Sequence, residues 1–272
     1  MVRSLTIYHK ICFCALFIAL TIILSRFFSL PGLFGLPFLK ISFANSVVLF
    51  SSFYLGPLRG LIVGGASDCL GAILFPQGGG FNPLYTIPAL LTGLFPFLFY
   101  KFLNFSKLEK KIPFVLIFIL SFFSLFTMFY FIFNDYLISG SKSYYIDLWQ
   151  KIVLVLLAFI LSILYIVTII YIKYKFKDKK VNKNYNIYSL ATSMFLTYFL
   201  IKIPIGSLIM TFLLNYSFLF IFFLRLLTGF FTCIVHSIIV IVALNVSSQF
   251  NMRSAINEDH YFSRTTLWKK KN

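Results

Sequence analysis

GPLRGLIVGGASDCLGAILFPQGGGFNPLYT, residues 56–86, joins a short basic turn, an apolar run rich in small residues and a glycine-rich aromatic loop. The apolar run, residues 61–74, predicts a helix whose glycines, alanine and serine let neighbouring helices approach closely. Asp68 lies in the middle of this helix. Because a charged carboxylate at the centre of a bilayer costs roughly 2.5 to 3.5 kcal/mol on insertion scales, we expect Asp68 to face the bundle interior or a polar cavity.

The composition of the whole chain is that of an integral membrane protein. Of its 272 residues, 60% are hydrophobic and 11% are charged, and 37 are phenylalanine. A soluble domain of this size would need far more polar surface. The formal charge of +17 lies in short basic clusters between apolar runs, which disfavours a nucleic-acid-binding surface and favours a role in membrane orientation.

Eight apolar segments predict an all-α, polytopic helix bundle. They lie at about 8–30, 41–55, 60–75, 84–100, 112–133, 152–172, 187–214 and 218–245. Lys202, Pro204 and Gly206 interrupt the seventh segment and predict a kink there. With both termini in the cytoplasm, 18 of the 24 Lys and Arg residues fall on the inner side, so the positive-inside rule favours this orientation.

Two outer loops, residues 31–37 and 75–83, are predicted to cover a ligand cavity, because they are too apolar for solvated linkers. The side chains around them suit an aromatic, anionic small molecule. They comprise the cations Arg26 and Lys40, the amides Asn45, Gln77 and Asn82, and the rings Phe75, Phe81 and Tyr85. Arg26 is favoured over Lys40 for an anionic group, since its planar guanidinium matches a carboxylate.

The charged residues also have structural interpretations. Snorkelling to the membrane surface would give Arg26 and Lys40 a purely positional role. Arg225 lies about seven residues into the last segment, where snorkelling is strained, so a functional or inter-helix role is favoured. Asp68 is equally compatible with pairing to Arg225 or Lys202 and with a ligand contact.

Catalysis and metal binding find no support in the sequence. It has no GxxxxGK[ST] loop, nucleophile elbow or HExxH motif, and no second membrane acid to pair with Asp68. The three histidines are scattered, and the four cysteines lie in apolar segments without CxxC spacing. We therefore predict neither an enzyme nor a bound cofactor. Ala15 and Ala19 form a small-xxx-small face, which on its own is as compatible with an internal contact as with a partner.

The order of these features resembles the substrate-binding S component of energy-coupling factor (ECF) vitamin transporters, and most of all the folate-specific S component. The resemblance is carried by ALFIALTIILSRF at residues 15–27, by the run from LKISFANSVV to LLTGLF at residues 39–95, and by LRLLTGFFTCIVHSIIVIVAL at residues 224–244. It implies a six-helix bundle that captures a vitamin from outside. A membrane coupling subunit and two ATPase subunits would supply the energy for transport.

The resemblance also implies roles for single residues. Ala15 and Ala19 would meet the coupling subunit, and Arg225 corresponds to an early basic residue of the family's final helix. Folate would place its glutamyl carboxylates at Arg26 and Arg225, with its pterin among the three rings and next to Asn82 or Asp68. Another vitamin, such as riboflavin or pantothenate, is the alternative within the family, and a stand-alone permease or a membrane scaffold is the alternative outside it.

Against the family's six helices, the eight predicted segments imply an insertion within a single membrane domain. We assign residues 8–104 to core helices one to four, 105–183 to an inserted helical hairpin and basic cytoplasmic loop, 184–246 to the last two core helices, and 247–272 to a basic cytoplasmic tail. Two extra crossings preserve the orientation of everything that follows them.

Overall fold

The structure, a computed structural model, describes most of the predicted helical segments. The described residues are 7–30, 41–76, 81–105, 147–176, 185–215 and 217–249, with short pieces at 129, 132–133, 136–139, 142–145 and 180–181. These residues form a bundle of apolar helices, so the predicted all-α membrane class is confirmed.

Eight α-helices make up most of the described chain. They are α1 (Ile7–Arg26), α2 (Ala44–Leu55), α3 (Pro57–Leu74), α4 (Thr86–Phe105), α5 (Leu148–Phe176), α6 (Ile187–Thr197), α7 (Ile203–Leu214) and α8 (Phe218–Gln249). A 3₁₀ turn at Pro83–Tyr85 precedes α4, and a π-helical turn at Tyr198–Lys202 joins α6 to α7. Three short antiparallel pairs accompany them: β1 (Ser29–Leu30) with β2 (Ile41–Ser42), β3 (Tyr136–Ser139) with β4 (Lys142–Tyr145), and β5 (Lys180–Val181) with β6 (Tyr185–Asn186).

Five helical segments of the described chain are long and apolar enough to cross a membrane. They are Ile7–Arg26, Pro57–Leu74, Pro83–Asn104, Ile187–Leu214 and Phe218–Ser247. The segment predicted at 41–55 is the shorter helix α2, of 12 residues, and the one at 152–172 is α5, of 29 residues. The segment predicted at 112–133 lies outside the described residues except at 129 and 132–133. The loop at 31–37, residues 77–80 of the loop at 75–83, and the tail from 250 onward lie outside them as well.

The predicted interruption of the seventh segment is the π-helical turn Tyr198–Lys202. Pro204 follows it in the first turn of α7. A proline inside a helix has no N–H to donate, and its ring collides with the carbonyl four residues earlier, here that of Leu200. Widening the preceding turn relieves that collision, so the helix continues in π form at the position where a kink was predicted.

The tightest helix contact runs along α3 and α4 and depends on glycine. A Cβ atom built on Gly60 would overlap with the carbonyl oxygen of Gly93, and one built on Gly93 would overlap with that of Gly60. One turn along α3, a Cβ on Gly64 would overlap with the carbonyl oxygen of Ala89. The two backbones therefore touch directly, as the small residues of α3 predicted.

The buried apolar side chains form two clusters. The larger joins α2, α4, α6, α7 and α8 around residues such as Phe53, Met194 and Phe222. The smaller lies between α1, α2 and α3. Helix α5 contributes Leu157 to the rim of the larger cluster and leaves Trp149 and many aliphatic side chains exposed, as a helix facing lipid would. The assignment of residues 105–183 to an insertion stays a prediction.

We expect Gly93→Ala to destabilise the bundle, since its new methyl group would meet the backbone of Gly60 and force α3 and α4 apart. Overpacking of this kind costs about 1 to 3 kcal/mol, which lowers the thermal midpoint of unfolding in detergent. Gly71→Ala is the matched control, because its methyl would meet only the flexible side chain of Arg26. Equal midpoints for the two variants would contradict the backbone contact.

Candidate functional site

A cavity of about 260 Å³ lies among α1, α2, α3 and α4. Three residues predicted to bind the ligand line it, namely Arg26, Asn45 and Asp68. The small polar residues Thr21, Ser25, Ser42 and Ser67 line it too. Three successive helical segments thus bring a cation, an amide and a carboxylate to one cavity.

Arg26 is the last residue of α1, and its side chain lies over Gly71 of α3. A Cβ atom built on Gly71 would be 3.2 Å from Nε and 3.3 Å from Nη2 of Arg26. Any larger side chain at position 71 would therefore push the guanidinium away from α3. Because Gly71 has no side chain, the Arg26 guanidinium can pack against α3 beside the cavity.

Asp68 is held by the helix that packs closest to it. The Thr86 hydroxyl donates a hydrogen bond to Oδ2 of Asp68 at 3.0 Å, and the Cys69 sulfur lies 3.6 Å from the same hydroxyl oxygen. The helix partner of Asp68 is thus Thr86, and among the described residues no ion pair joins Asp68 to Arg225 or Lys202. Asp68 also lines the cavity, so its position suits both a helix contact and a ligand contact.

The aromatic and amide residues predicted to contact the ligand near the two loops do not all lie at the cavity. Phe75 is 42% exposed and meets Phe27 edge to face, with ring centroids 5.6 Å apart. Phe81 is 41% exposed. Asn82 caps the 3₁₀ turn, since its Oδ1 accepts a hydrogen bond from the Leu84 amide at 3.0 Å. These three predicted residues are not among those lining the cavity, and Lys40 and Gln77 lie outside the described residues.

Tyr85 and Arg225 lie against α7. The Arg225 guanidinium packs over Gly206, where an added Cβ would overlap with Nη1. The Tyr85 hydroxyl donates to the sulfur of Met210, one turn further along α7, at 3.8 Å. The structure therefore separates Arg225 from the cavity that contains Arg26 and Asp68.

A buried polar chain, missed from the sequence, crosses the bundle from the π-helical turn to β2. Lys202 Nζ donates to the Tyr198 hydroxyl at 3.5 Å, and this hydroxyl is hydrogen-bonded to Nδ1 of His236. The other ring nitrogen, Nε2, is 3.0 Å from the carbonyl oxygen of Ser42. Because a carbonyl oxygen only accepts, Nε2 carries the proton and Nδ1 accepts from Tyr198. His236 is 1% exposed, so it joins these groups inside the protein.

This hydrogen-bonded chain ends at the base of the loop between α1 and α2. Ser42 pairs with Ser29 across the β1–β2 ladder, and its hydroxyl donates to the Leu24 carbonyl oxygen at 3.3 Å. Ser42 also lines the cavity. The hydrogen bond from His236 therefore links Ser42, in the wall of the cavity, to α8. A histidine within an apolar membrane segment was the signal in the sequence that could have identified this role.

Metal binding was not predicted. Within the described ranges, no group of three or more His, Cys, Asp or Glu side chains is placed to hold a metal ion. All four cysteines are free, and Cys233 is fully buried. The polar groups of the site are thus suited to hydrogen bonding and to charge recognition.

Comparison with known proteins gives three matches. The sequence model of the family described as "ECF transporter, substrate-specific component" matches residues 9–150, just over half of the chain. The folate transporter FolT of Clostridium novyi (strain NT) is 38% identical over 77 residues, which are 28% of this chain and 42% of that protein, less than half of its length. A solved structure titled "Structure and mechanism of the S component of a bacterial ECF transporter" aligns at 16% identity and a TM-score of 0.48, over 91% of this chain and 100% of that one.

We expect His236→Leu to loosen the base of the first outer loop, because the Ser42 carbonyl loses its donor. An unsatisfied buried acceptor costs about 1 to 3 kcal/mol, so amide hydrogen exchange in residues 41–44 should rise at least several-fold. Ser237→Ala, one residue along the same helix and also buried, is the control and should leave this exchange unchanged. Unchanged exchange in both variants would show that His236 does not hold the loop.

Proposed function

We propose that this chain, which belongs to the family of substrate-specific components of ECF transporters, captures folate from the outer side of the membrane. The observation that carries the proposal is the cavity in which Arg26, Asn45 and Asp68 meet. The similarity to a folate transporter over 77 residues supports the choice of vitamin. The family membership makes the chain a transport component, and we infer that it has no catalytic activity of its own.

The chemistry of the cavity suits the heterocycle of folate. A pterin carries neighbouring N–H donors, which a carboxylate such as Asp68 accepts, and ring acceptors, which Asn45 and Arg26 can meet. Pockets that hold a whole drug-sized molecule measure about 300 to 1,000 Å³, and this cavity is smaller at about 260 Å³. It therefore fits one end of folate, and the rest would extend outward toward Phe75, Phe81 and Tyr85.

Arg26 is placed to form hydrogen bonds with either end of the vitamin. Its guanidinium faces the cavity from the outer end of α1, so it can contact the heterocycle or donate two parallel hydrogen bonds to a carboxylate. Riboflavin and pantothenate are the alternatives within the family. Folate is favoured because an acid and an arginine line one space, which suits a ligand that carries both donor N–H groups and carboxylates.

Transport would require partner proteins. We infer that the chain assembles with a membrane coupling subunit and two ATPases, and that both termini are cytoplasmic, since this orientation best fits the distribution of Lys and Arg. Ala15 and Ala19 are exposed on α1 and pack against nothing within the described residues that would bury them. Two small residues four apart leave a shallow strip on which a partner helix can approach closely.

The proposal predicts that the purified protein binds radiolabelled folate. Asp68→Asn should weaken this binding about tenfold or more, because one charged hydrogen bond contributes about 1.5 to 3 kcal/mol. Asparagine can still accept from Thr86, so the helix contact persists. Lys101→Met, on the exposed end of α4, is the control and should leave folate binding unchanged. Recovery of a flavin with the purified protein, or the absence of any pterin binding, would refute the folate assignment.

The partner surface has a separate test. Ala15→Trp and Ala19→Trp should abolish co-purification with the coupling subunit and the ATPases while leaving folate binding intact, since a bulky ring fills the strip. Leu156→Trp, at an exposed position of α5, controls for a large ring on the lipid-facing surface. Folate uptake by vesicles that lack ATPases would instead support a stand-alone permease.

A further inference from the structure

We propose that the β3–β4 hairpin and helix α5 form a membrane anchor, in which exposed aromatic side chains at the two ends of α5 bind the two interfacial layers of a phospholipid bilayer. The inference goes beyond the capture of a vitamin and does not depend on which ligand the chain binds. It gives a role to the part of the chain that the sequence predicts to be an insertion.

Three aromatic rings lie where the hairpin leads into α5. Tyr136 and Tyr145 are directly opposite each other in the β3–β4 ladder, so their side chains share one face, and their ring centroids are 5.6 Å apart. Both rings are exposed. Helix α5 begins three residues after β4, and Trp149, in its first turn, is 74% exposed. Tyrosine and tryptophan combine an apolar ring with a polar tip, which is why they are enriched at membrane interfaces.

The opposite end of α5 has a similar composition. Tyr171 and Tyr174 are exposed in its last two turns, and Lys173 and Lys175 lie beside them. The Lys175 Nζ donates a hydrogen bond to the Tyr171 hydroxyl at 2.6 Å and lies 5.1 Å from the centre of that ring. An ammonium next to a tyrosine hydroxyl suits the headgroup layer, where phosphate groups and water meet the acyl chains.

The distance between the two ends matches the thickness of a bilayer. Residues 152–172 include no Asp, Glu, Lys or Arg, and as a helix they extend over about 32 Å. The hydrocarbon core of a bilayer is about 30 Å thick. Trp149 and Tyr171 are 22 positions apart, or about 33 Å along the axis, so each lies just beyond one edge of that core.

The face of α5 between these rings suits lipid better than a second copy of the chain. At about 100° per residue its exposed side chains cover an arc of roughly 140°, which also contains Trp149, Tyr171 and Tyr174. A seam for one partner helix is narrower, and close helix contacts use small residues, as Ala15 and Ala19 offer on α1. The exposed side chains of α5 are instead large: Ile152, Val153, Leu156, Phe159, Ile160, Ile163, Leu164, Val167 and Ile170.

The chain contains two tryptophans, so Trp268→Phe leaves Trp149 as the only one. This variant would be reconstituted in phosphatidylcholine vesicles whose acyl chains carry bromine, which quenches nearby tryptophan. We expect bromine near the headgroups to quench Trp149 about twofold or more better than bromine at the chain ends, because tryptophan prefers the interface. Quenching by aqueous iodide and not by lipid would place the ring in water. Quenching by neither would show that protein covers it. Either result overturns the anchor.

A tryptophan at the middle of α5 is the matched control. Ile160 is exposed and lies 11 positions from both Trp149 and Tyr171. In a protein with Trp149→Phe and Trp268→Phe, Ile160→Trp should show the reverse order, with bromine at the chain ends quenching about twofold or more better, because the hydrocarbon core is about 30 Å thick. The same order at both positions would mean that α5 does not cross the bilayer between its rings.

The hairpin has a separate test. Tyr136→Ser combined with Tyr145→Ser should raise the quenching of Trp149 by iodide about twofold or more, because the end of α5 loses two interfacial rings. Replacing both tyrosines by phenylalanine keeps the rings and should preserve the wild-type quenching. Tyr174→Ser, at the other end, should leave Trp149 unaffected. Equal iodide quenching in the serine and phenylalanine pairs would refute the role of the hairpin. None of these measurements uses folate, so their outcome is separate from the choice of vitamin.

Discussion

The direct contact between the backbones of α3 and α4 is the constraint on which the site depends. Gly60 contacts Gly93, and Gly64 contacts Ala89. One turn further along the same interface, Thr86 is hydrogen-bonded to Asp68. Only helices held this close bring a short threonine hydroxyl within hydrogen-bonding distance of the acid. The close packing at the glycines thus allows the hydrogen bond that lowers the free-energy cost of burying a carboxylate in an apolar bundle. This carboxylate is the acidic group of the cavity.

Two arginines of the bundle are packed in the same way. Each lies over a glycine of the neighbouring helix: Arg26 over Gly71, and Arg225 over Gly206. The hydrogen bonds from Lys202 through Tyr198 and His236 end at the Ser42 carbonyl, which belongs to a residue of the cavity wall. The hydrogen bonds of His236 therefore link α8 to the strand that closes the loop between α1 and α2. This connection adds a polar link to the apolar contact that already joins α2 to α8.

The sequence was informative where the physical signal is local. Hydropathy located the helices, the small residues of α3 predicted its close packing, and the insertion cost of a carboxylate predicted an inward-facing Asp68. Contacts between residues that are far apart in the sequence have no such signal. His236 and Ser42 are 194 positions apart, and the sequence does not say which polar residue is the hydrogen-bond partner of which. Arg225 was recognised as important, but its separation from the cavity depends on how α7 packs, which no spacing reveals. The π-helical turn shows the same limit, because proline predicts an interruption without specifying its form.

The glycine beneath each arginine has a consequence for how such a gene can change. Glycine and alanine codons differ at their second base, so one nucleotide substitution at position 71 or 206 adds a methyl group under a guanidinium and displaces its charge. The arginine codon is untouched, and the displaced group keeps its full charge. Divergence in ligand preference between descendants of one ancestral gene can therefore begin at positions that never contact a ligand, and a comparison restricted to charged residues would overlook it.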